Sequence, residues 1–113
     1  MTNDPDPERA FEAAADAELT SLLAKLDELE LDLEVELSMG ILTVEFPDAT
    51  KYVVNSHRAA RQIWMAAERN AWHFDRETVG ESTRWIAKKS SDELRSTLGA
   101  VLARKTGRAV DLA

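Results

Sequence analysis

Leu29-Glu30-Leu31-Asp32-Leu33-Glu34-Val35-Glu36-Leu37 alternates apolar and acidic residues for nine positions without a break. A period of two is the signature of a β-strand with one face in a core and one in water, because successive side chains leave opposite sides of the pleat. The outer face of such a strand would be entirely carboxylate. Upstream the period is helical. Phe11, Ala15, Leu19, Leu22, Leu23 and Leu26 recur every three or four residues, as on the buried stripe of an amphipathic helix. The change of period near residue 28 decides the fold, because a helix must hand over to a sheet there.

The helix is predicted over Pro7 to Asp27. Asp6 can cap its free amides, Pro7 suits a first turn, and early acids complement the helix dipole. At about 100° per residue, Glu12, Asp16 and Asp27 fall on one flank of the apolar stripe. Downstream of Leu37, Ser38-Met39-Gly40 and Pro47-Asp48-Ala49-Thr50 read as turns. Between and after them, strands are predicted at Ile41–Phe46, Lys51–Asn55, Gln62–Ala66, Ala71–Asp75 and Thr83–Ala87, spaced as an antiparallel meander. Ser90-Ser91-Asp92-Glu93 has the form of a capping box. Leu94, Leu98, Val101 and Leu102 form the stripe of a second helix, which Gly107 can end in a left-handed conformation. Val110 and Leu112 can tuck back between elements. The expected architecture is α+β: a two-layer α-β sandwich with two helices packed on one face of an antiparallel sheet of about six strands, residues 1–113 forming one domain.

Composition narrows the function. At 113 residues, 44% apolar and 31% charged, the chain can build one ordinary core. It has no cysteine, which excludes disulfides, thiolate metal sites, cysteine-ligated clusters and cysteine nucleophiles. No apolar run approaches the ~20 residues of a membrane span, and the acidic start lacks a basic-then-apolar leader, so neither membrane insertion nor export is expected. The net charge of −7 is uneven: Met1 to Glu36 holds twelve acids and two bases, while the remainder is mildly basic. Phosphates would repel the acidic third, so no nucleic-acid partner is expected. A monomer is the simplest oligomeric expectation.

Strand alternation makes a sharp statement about Trp64. If Ile63 and Met65 face the helices, Gln62 and Trp64 face away, and no third layer is left to cover the indole. An exposed Trp beside Asn55 and Gln62 has the composition of a protein-binding anchor. The alternative is a structural Trp lying flat over Thr43, Val53 and the stems of Lys51 and Arg61. Trp72, Phe74 and Trp85 read as core or rim residues. His57 and His73, without a second ligand at metal spacing, read as surface or structural side chains. The acidic cluster taken alone is most simply a solvated face. No catalytic Ser-His-Asp spacing, phosphate-binding glycine loop or zinc signature is present.

Asn55-Ser56-His57-Arg58-Ala59-Ala60-Arg61-Gln62-Ile63-Trp64-Met65-Ala66 resembles the central motif of the frataxin family. Gly40-Ile41-Leu42-Thr43-Val44 before it and Trp72-His73-Phe74-Asp75 after it extend the resemblance, which covers nearly the whole chain. The resemblance implies an iron-binding protein (Fe2+ or Fe3+, weakly held, with other divalent cations able to compete) that regulates iron–sulfur cluster assembly. It implies cysteine desulfurase and the cluster scaffold as partners. It implies a bacterial cytoplasmic setting, or the mitochondrial matrix for a processed eukaryotic form. The family's acidic ridge maps onto Glu12, Asp16, Asp27, Glu28, Glu30, Asp32 and Glu34, and its sheet-surface contacts onto Asn55, Gln62 and Trp64. Carboxylates are hard oxygen donors suited to such ions. Three features depart from the family: Ser56-His57 stands where many members carry Lys-Gln or Arg-Gln, Ala59-Ala60 replaces a proline-bearing stretch, and Ala66-Ala67-Glu68-Arg69-Asn70 replaces a Gly- or Pro-rich loop. Two other classes stay open: a desulfurase adaptor with incidental iron binding, and a weak ferroxidase. The ferroxidase ranks last because no helical Glu-x-x-His di-iron pattern is present.

Overall fold

The computed structural model describes residues 7–113, so the cap expected of Asp6 lies outside the described residues. Helix α1 runs over Pro7–Glu28 and buries Phe11, Ala15, Leu19, Leu22 and Leu26, the stripe its periodicity announces. Seven strands follow: β1 Glu34–Ser38, β2 Ile41–Glu45, β3 Lys51–His57, β4 Gln62–Ala67, β5 Asn70–Val79, β6 Ser82–Ala87 and β7 Asp92–Glu93. Each pairs antiparallel with the next, giving one sheet in chain order. Helix α2 spans Leu94–Thr106.

The two helices and one face of the sheet share the core. Leu42, Val44, Tyr52, Val54, Ile63, Met65, Phe74 and Trp85 point inward against the α1 stripe and against Leu94, Leu98, Val101 and Leu102 of α2. Phe11 meets Trp85 edge to face, with ring centroids 5.8 Å apart. Gly107 ends α2 at φ 73°, its N–H donating to Ala103 O at 2.8 Å. Leu112 is buried and Val110 packs against the core, so the tail does return. Arg95 fastens three elements: its guanidinium donates to the Glu18 carboxylate at 2.9 and 3.2 Å, to Ser21 Oγ at 2.8 Å and to the Leu112 carbonyl at 2.9 Å.

Three expectations are corrected. The alternating stretch is not one strand from Leu29; pairing begins only at Glu34. Leu29 and Glu30 still donate to the carbonyls of Leu26 and Asp27, Glu30 sits at φ 52°, and Leu33 N–H closes a tight turn on Leu31 O at 2.8 Å. The chain must reverse between helix and strand, and Leu29 and Leu33 can pack against the core from a turn as well as from a strand. The capping box is also replaced. Glu93 itself caps α2, its carboxylate accepting from Arg95 N at 3.1 Å and Ser96 N at 3.0 Å, while Ser90 Oγ donates to Asp92. That frees Asp92 and Glu93 to pair with Ala87 and Ile86 as a seventh strand where about six were expected. Finally, β5 continues to Val79 and β3 to His57, because these outer positions are mostly polar and a hydrophobic period does not register them.

Candidate metal ridge and sheet-face site

The carboxylates proposed as ligands fall into two groups. Glu12 and Asp16 are one turn apart on α1 and line a cleft with Met39 and Gly40 of the β1–β2 turn, Ser56 and Arg58. Glu12 is engaged there, its carboxylate 2.8 Å from Arg58. Asp27 and Glu28 close the last turn of α1, Glu30 and Asp32 occupy the reversal, and Glu34 opens β1. At ~1.5 Å per residue, Asp16 and Asp27 are about 16 Å apart along the helix, so angular coincidence on one flank does not bring them together.

Strand register adds two carboxylates to the second group. Glu34 pairs directly with Glu45 of β2, and Glu36 shares their outward face. Asp32, Glu34 and Glu45 line one cleft with Phe46 and Pro47. Glu45 and Glu36 are absent from the sequence-based ligand set; the signal that could have found Glu45 is hairpin register counted outward from the Met39-Gly40 turn. Directly opposed like charges destabilise a strand pair, so a cation there relieves repulsion.

The donor set fits a hard cation held loosely. Asp16, Asp27, Glu28, Glu30, Asp32 and Glu34 are exposed and, among the described residues, carry no ion pair. Oxygen ligands of this kind suit iron, manganese or calcium with water completing the shell. Among the described residues no three carboxylate or imidazole side chains converge to enclose an ion, so the ridge offers open, shallow contacts.

The other face of the sheet carries no helix. Register aligns Ile41, Asn55, Trp64 and His73 across β2 to β5. Trp64 is half-buried and stacked between two imidazoles. His57 stacks on one side with centroids 3.8 Å apart at 16°, and His73 on the other at 4.3 Å and 17°. The indole Nε1–H donates to Gln62 Oε1 at 2.8 Å, and Gln62 Nε2 donates to Asp75 Oδ1 at 3.2 Å. Gln62 therefore holds Trp64 through its amide oxygen while its amide nitrogen is anchored on Asp75, and Asn55 sits beside the indole on β3. The two histidines read as surface or structural side chains in sequence; only the β3–β4 and β4–β5 registers place both against Trp64. Trp72 and Trp85 stay in the rim and core as expected, Trp72 Nε1–H donating to Asp92 Oδ2 at 3.2 Å.

A small α-β sandwich with a carboxylate-rich edge and an ordered aromatic patch on its open sheet face is the class of protein these features define. A frataxin-like domain model matches residues 4–108, and the chain belongs to the frataxin (CyaY) family. It is 34% identical to the iron-sulfur cluster assembly protein CyaY of Ralstonia pickettii (strain 12J), over 96% of both chains. It is 34% identical to the same-named protein of Pseudomonas fluorescens (strain Pf0-1), over 75% of this chain and 76% of that one. Among solved structures it resembles frataxin from Psychromonas ingrahamii, with TM-score 0.83 and 26% identity, covering 94% of this chain and 97% of that one. It also resembles the trimeric frataxin of Saccharomyces cerevisiae complexed with ferrous iron, with TM-score 0.68 and 25% identity, covering 95% and 92%. No helix among the described residues is long and apolar enough to cross a membrane.

Proposed function

We propose that this chain binds iron weakly on its acidic ridge and serves iron–sulfur cluster assembly by acting as donor or sensor on a cysteine desulfurase–scaffold complex in a bacterial cytoplasm. The observation that carries the reading is the set of exposed carboxylates Asp16, Asp27, Glu28, Glu30, Asp32 and Glu34, without an ion pair among the described residues, on a chain whose relatives bear the name of cluster assembly proteins. Hard oxygen donors with room for water hold an ion long enough to pass it on, without caging it. Asp27, Glu28, Glu30, Asp32 and Glu34 are the first candidates as ligands, with Asp16 next. Glu12 joins only if Arg58 releases it.

A second reading, a desulfurase adaptor with incidental iron binding, is favoured by the ordered Trp64 patch, because a side chain fixed before encounter loses little freedom on binding. Two variants separate the readings. Trp64→Ala is expected to weaken desulfurase binding by about tenfold or more, as for a central aromatic anchor, with ferrous binding intact. Joint substitution of Asp27, Glu28, Asp32 and Glu34 by Asn or Gln is expected to abolish ferrous binding and the iron response of desulfurase turnover. If the ridge variant keeps its iron response while Trp64→Ala loses all effect, the adaptor reading replaces the first. Ferrous oxidation rates with and without the protein test a ferroxidase activity directly.

A further inference from the structure

We infer that Arg58 is an internal cation that holds the α1 carboxylates until metal displaces it, and that its release carries metal occupancy to the Trp64 stack; this rests on reading Glu12 and Asp16 as metal ligands. Arg58 stands between the two candidate sites. It belongs to the turn that joins β3 to β4, yet its guanidinium reaches α1, with Nη1 2.8 Å from Glu12 Oε2 and Nε 4.0 Å from Glu8 Oε2. Asp16 lines the same cleft one helical turn further on, exposed and with no ion pair among the described residues. Carboxylates at i and i+4 of a helix lie side by side and repel. A guanidinium on Glu12 leaves Asp16 uncompensated, whereas a divalent ion can be shared by both. The cleft therefore has an occupant already, and a metal ion must compete with it.

The same turn is tied to the indole. His57 stacks on Trp64 with centroids 3.8 Å apart, and its Nδ1 accepts the Ala60 N–H at 3.2 Å. The turn closes through the Arg61 N–H, which donates to the Arg58 carbonyl at 3.1 Å, with Arg61 left-handed at φ 53°. It is thus fixed from two sides: Glu12 holds the side chain of Arg58, and His57 holds the amide of Ala60. Releasing Arg58 removes one hold, so the turn and the imidazole bonded to it settle differently against the indole. Arg58 has two places, on Glu12 or in solvent, and an element with two states that both sites bias is what coupling requires. The coupling is reciprocal: a partner on the sheet face that draws Arg58 off Glu12 tightens cation binding by the same factor. The ion pair is solvent-exposed, so the factor is small, about threefold.

The test is a nuclear magnetic resonance titration of the full chain with calcium, a diamagnetic oxygen-seeking ion, in about 0.15 M salt to screen long-range charge. Calcium is expected to shift the Glu12 and Asp16 amides and, at the same midpoint, the Ala60 amide and the Trp64 indole N–H. In Arg58→Gln the Glu12 and Asp16 midpoint should fall about threefold. The indole resonance of that variant should start near the position that calcium gives it in the unsubstituted chain, and move no further. Arg61→Gln removes an exposed base of the same turn that forms no ion pair among the described residues, and should leave both behaviours as they were. An unchanged midpoint in Arg58→Gln, an indole that still follows calcium there, or an equal gain in Arg61→Gln overturns the inference and leaves the carboxylates standing as ligands. Calcium that shifts the amides from Asp27 to Glu34 but neither Glu12 nor Asp16 overturns it by removing the α1 pair from the metal reading, and no shift at any carboxylate removes both.

Discussion

At the scale of single residues, Glu93 and Gly40 show how local chemistry sets local geometry. Glu93 is extended at φ −106° and accepts two otherwise unpartnered amides at the start of α2, while its side chain also takes the Ser96 hydroxyl. Replacing a capping side chain typically costs ~1 kcal/mol. Glu93→Ala is therefore expected to destabilise the fold by about 1 kcal/mol, lowering the melting temperature by roughly 4 °C for a domain of this size, with Glu93→Gln recovering part of the loss. Calorimetry on the two variants checks the ranking, and an unchanged Glu93→Ala midpoint would show that Ser90 and Asp92 can cap instead. Gly40 stands at φ 78°, and an added Cβ would lie 2.6 Å from Ser56 Oγ, so the β1–β2 turn is held to glycine by backbone and by space together. Trp64 is the residue whose role changes most between sequence and structure. Sequence alternation places it on the open face, but its two stacking partners come from different strands, nine residues downstream and seven upstream.

At the scale of elements, α1, the reversal after it and β1 carry most of the unpaired acidic charge among the described residues. Their unpaired carboxylates repel one another in the folded state, a cost that salt screens and a bound cation offsets. The melting temperature is expected to rise with ionic strength. It should rise further with ferrous, ferric or manganese ions at concentrations where screening is already complete, by about 2.7 kcal/mol of stability at a hundredfold excess over Kd. Thermal scans in graded salt and metal measure both terms, and a midpoint flat in each would remove the ridge as a cation site. In the reversal between α1 and β1, a turn carries the same alternation as a strand. Leu29 and Leu33 pack on the core and Glu30 and Asp32 face water whether the backbone is a turn or a strand, so alternation alone does not distinguish them.

At the scale of the whole molecule, two ion pairs tie the end of α2 to distant loops. Lys105 Nζ lies 2.6 Å from Asp48 Oδ2 in the turn after β2, and Arg104 grips Glu68 of the β4–β5 turn at 2.8 Å through each of two nitrogens. The Lys105 ammonium, aided by the Thr50 amide at 2.9 Å, holds the Asp48 carboxyl well below the usual carboxylate range; Arg104 lowers Glu68 in the same way. A carboxyl depressed by folding stabilises the native state above its unfolded value of about 4, and loses that contribution as pH falls through the folded value. Asp48→Asn should therefore lower the urea midpoint at neutral pH and reduce its fall between about pH 5 and pH 2, leaving the two proteins closest at the acid end. A constant gap across that range would show that the pair is not what links α2 to the sheet. Both pairs are solvent-exposed, so each effect is modest.

The order of elements, the inward-facing residues, the left-handed end of α2 and the acidic character of the first third were all legible in the sequence, because periodicity and charge are properties of neighbours along the chain. Tertiary structure decided the rest. It split the carboxylates into two groups about 16 Å apart along α1, brought Glu45 opposite Glu34, turned Asp92 and Glu93 into a seventh strand, and closed His57 and His73 around Trp64. Each of these depends on strand register or on helix length. Those are set by how the sheet closes over its core, and no local period of apolar and polar residues encodes which distant side chains will then share a few ångströms.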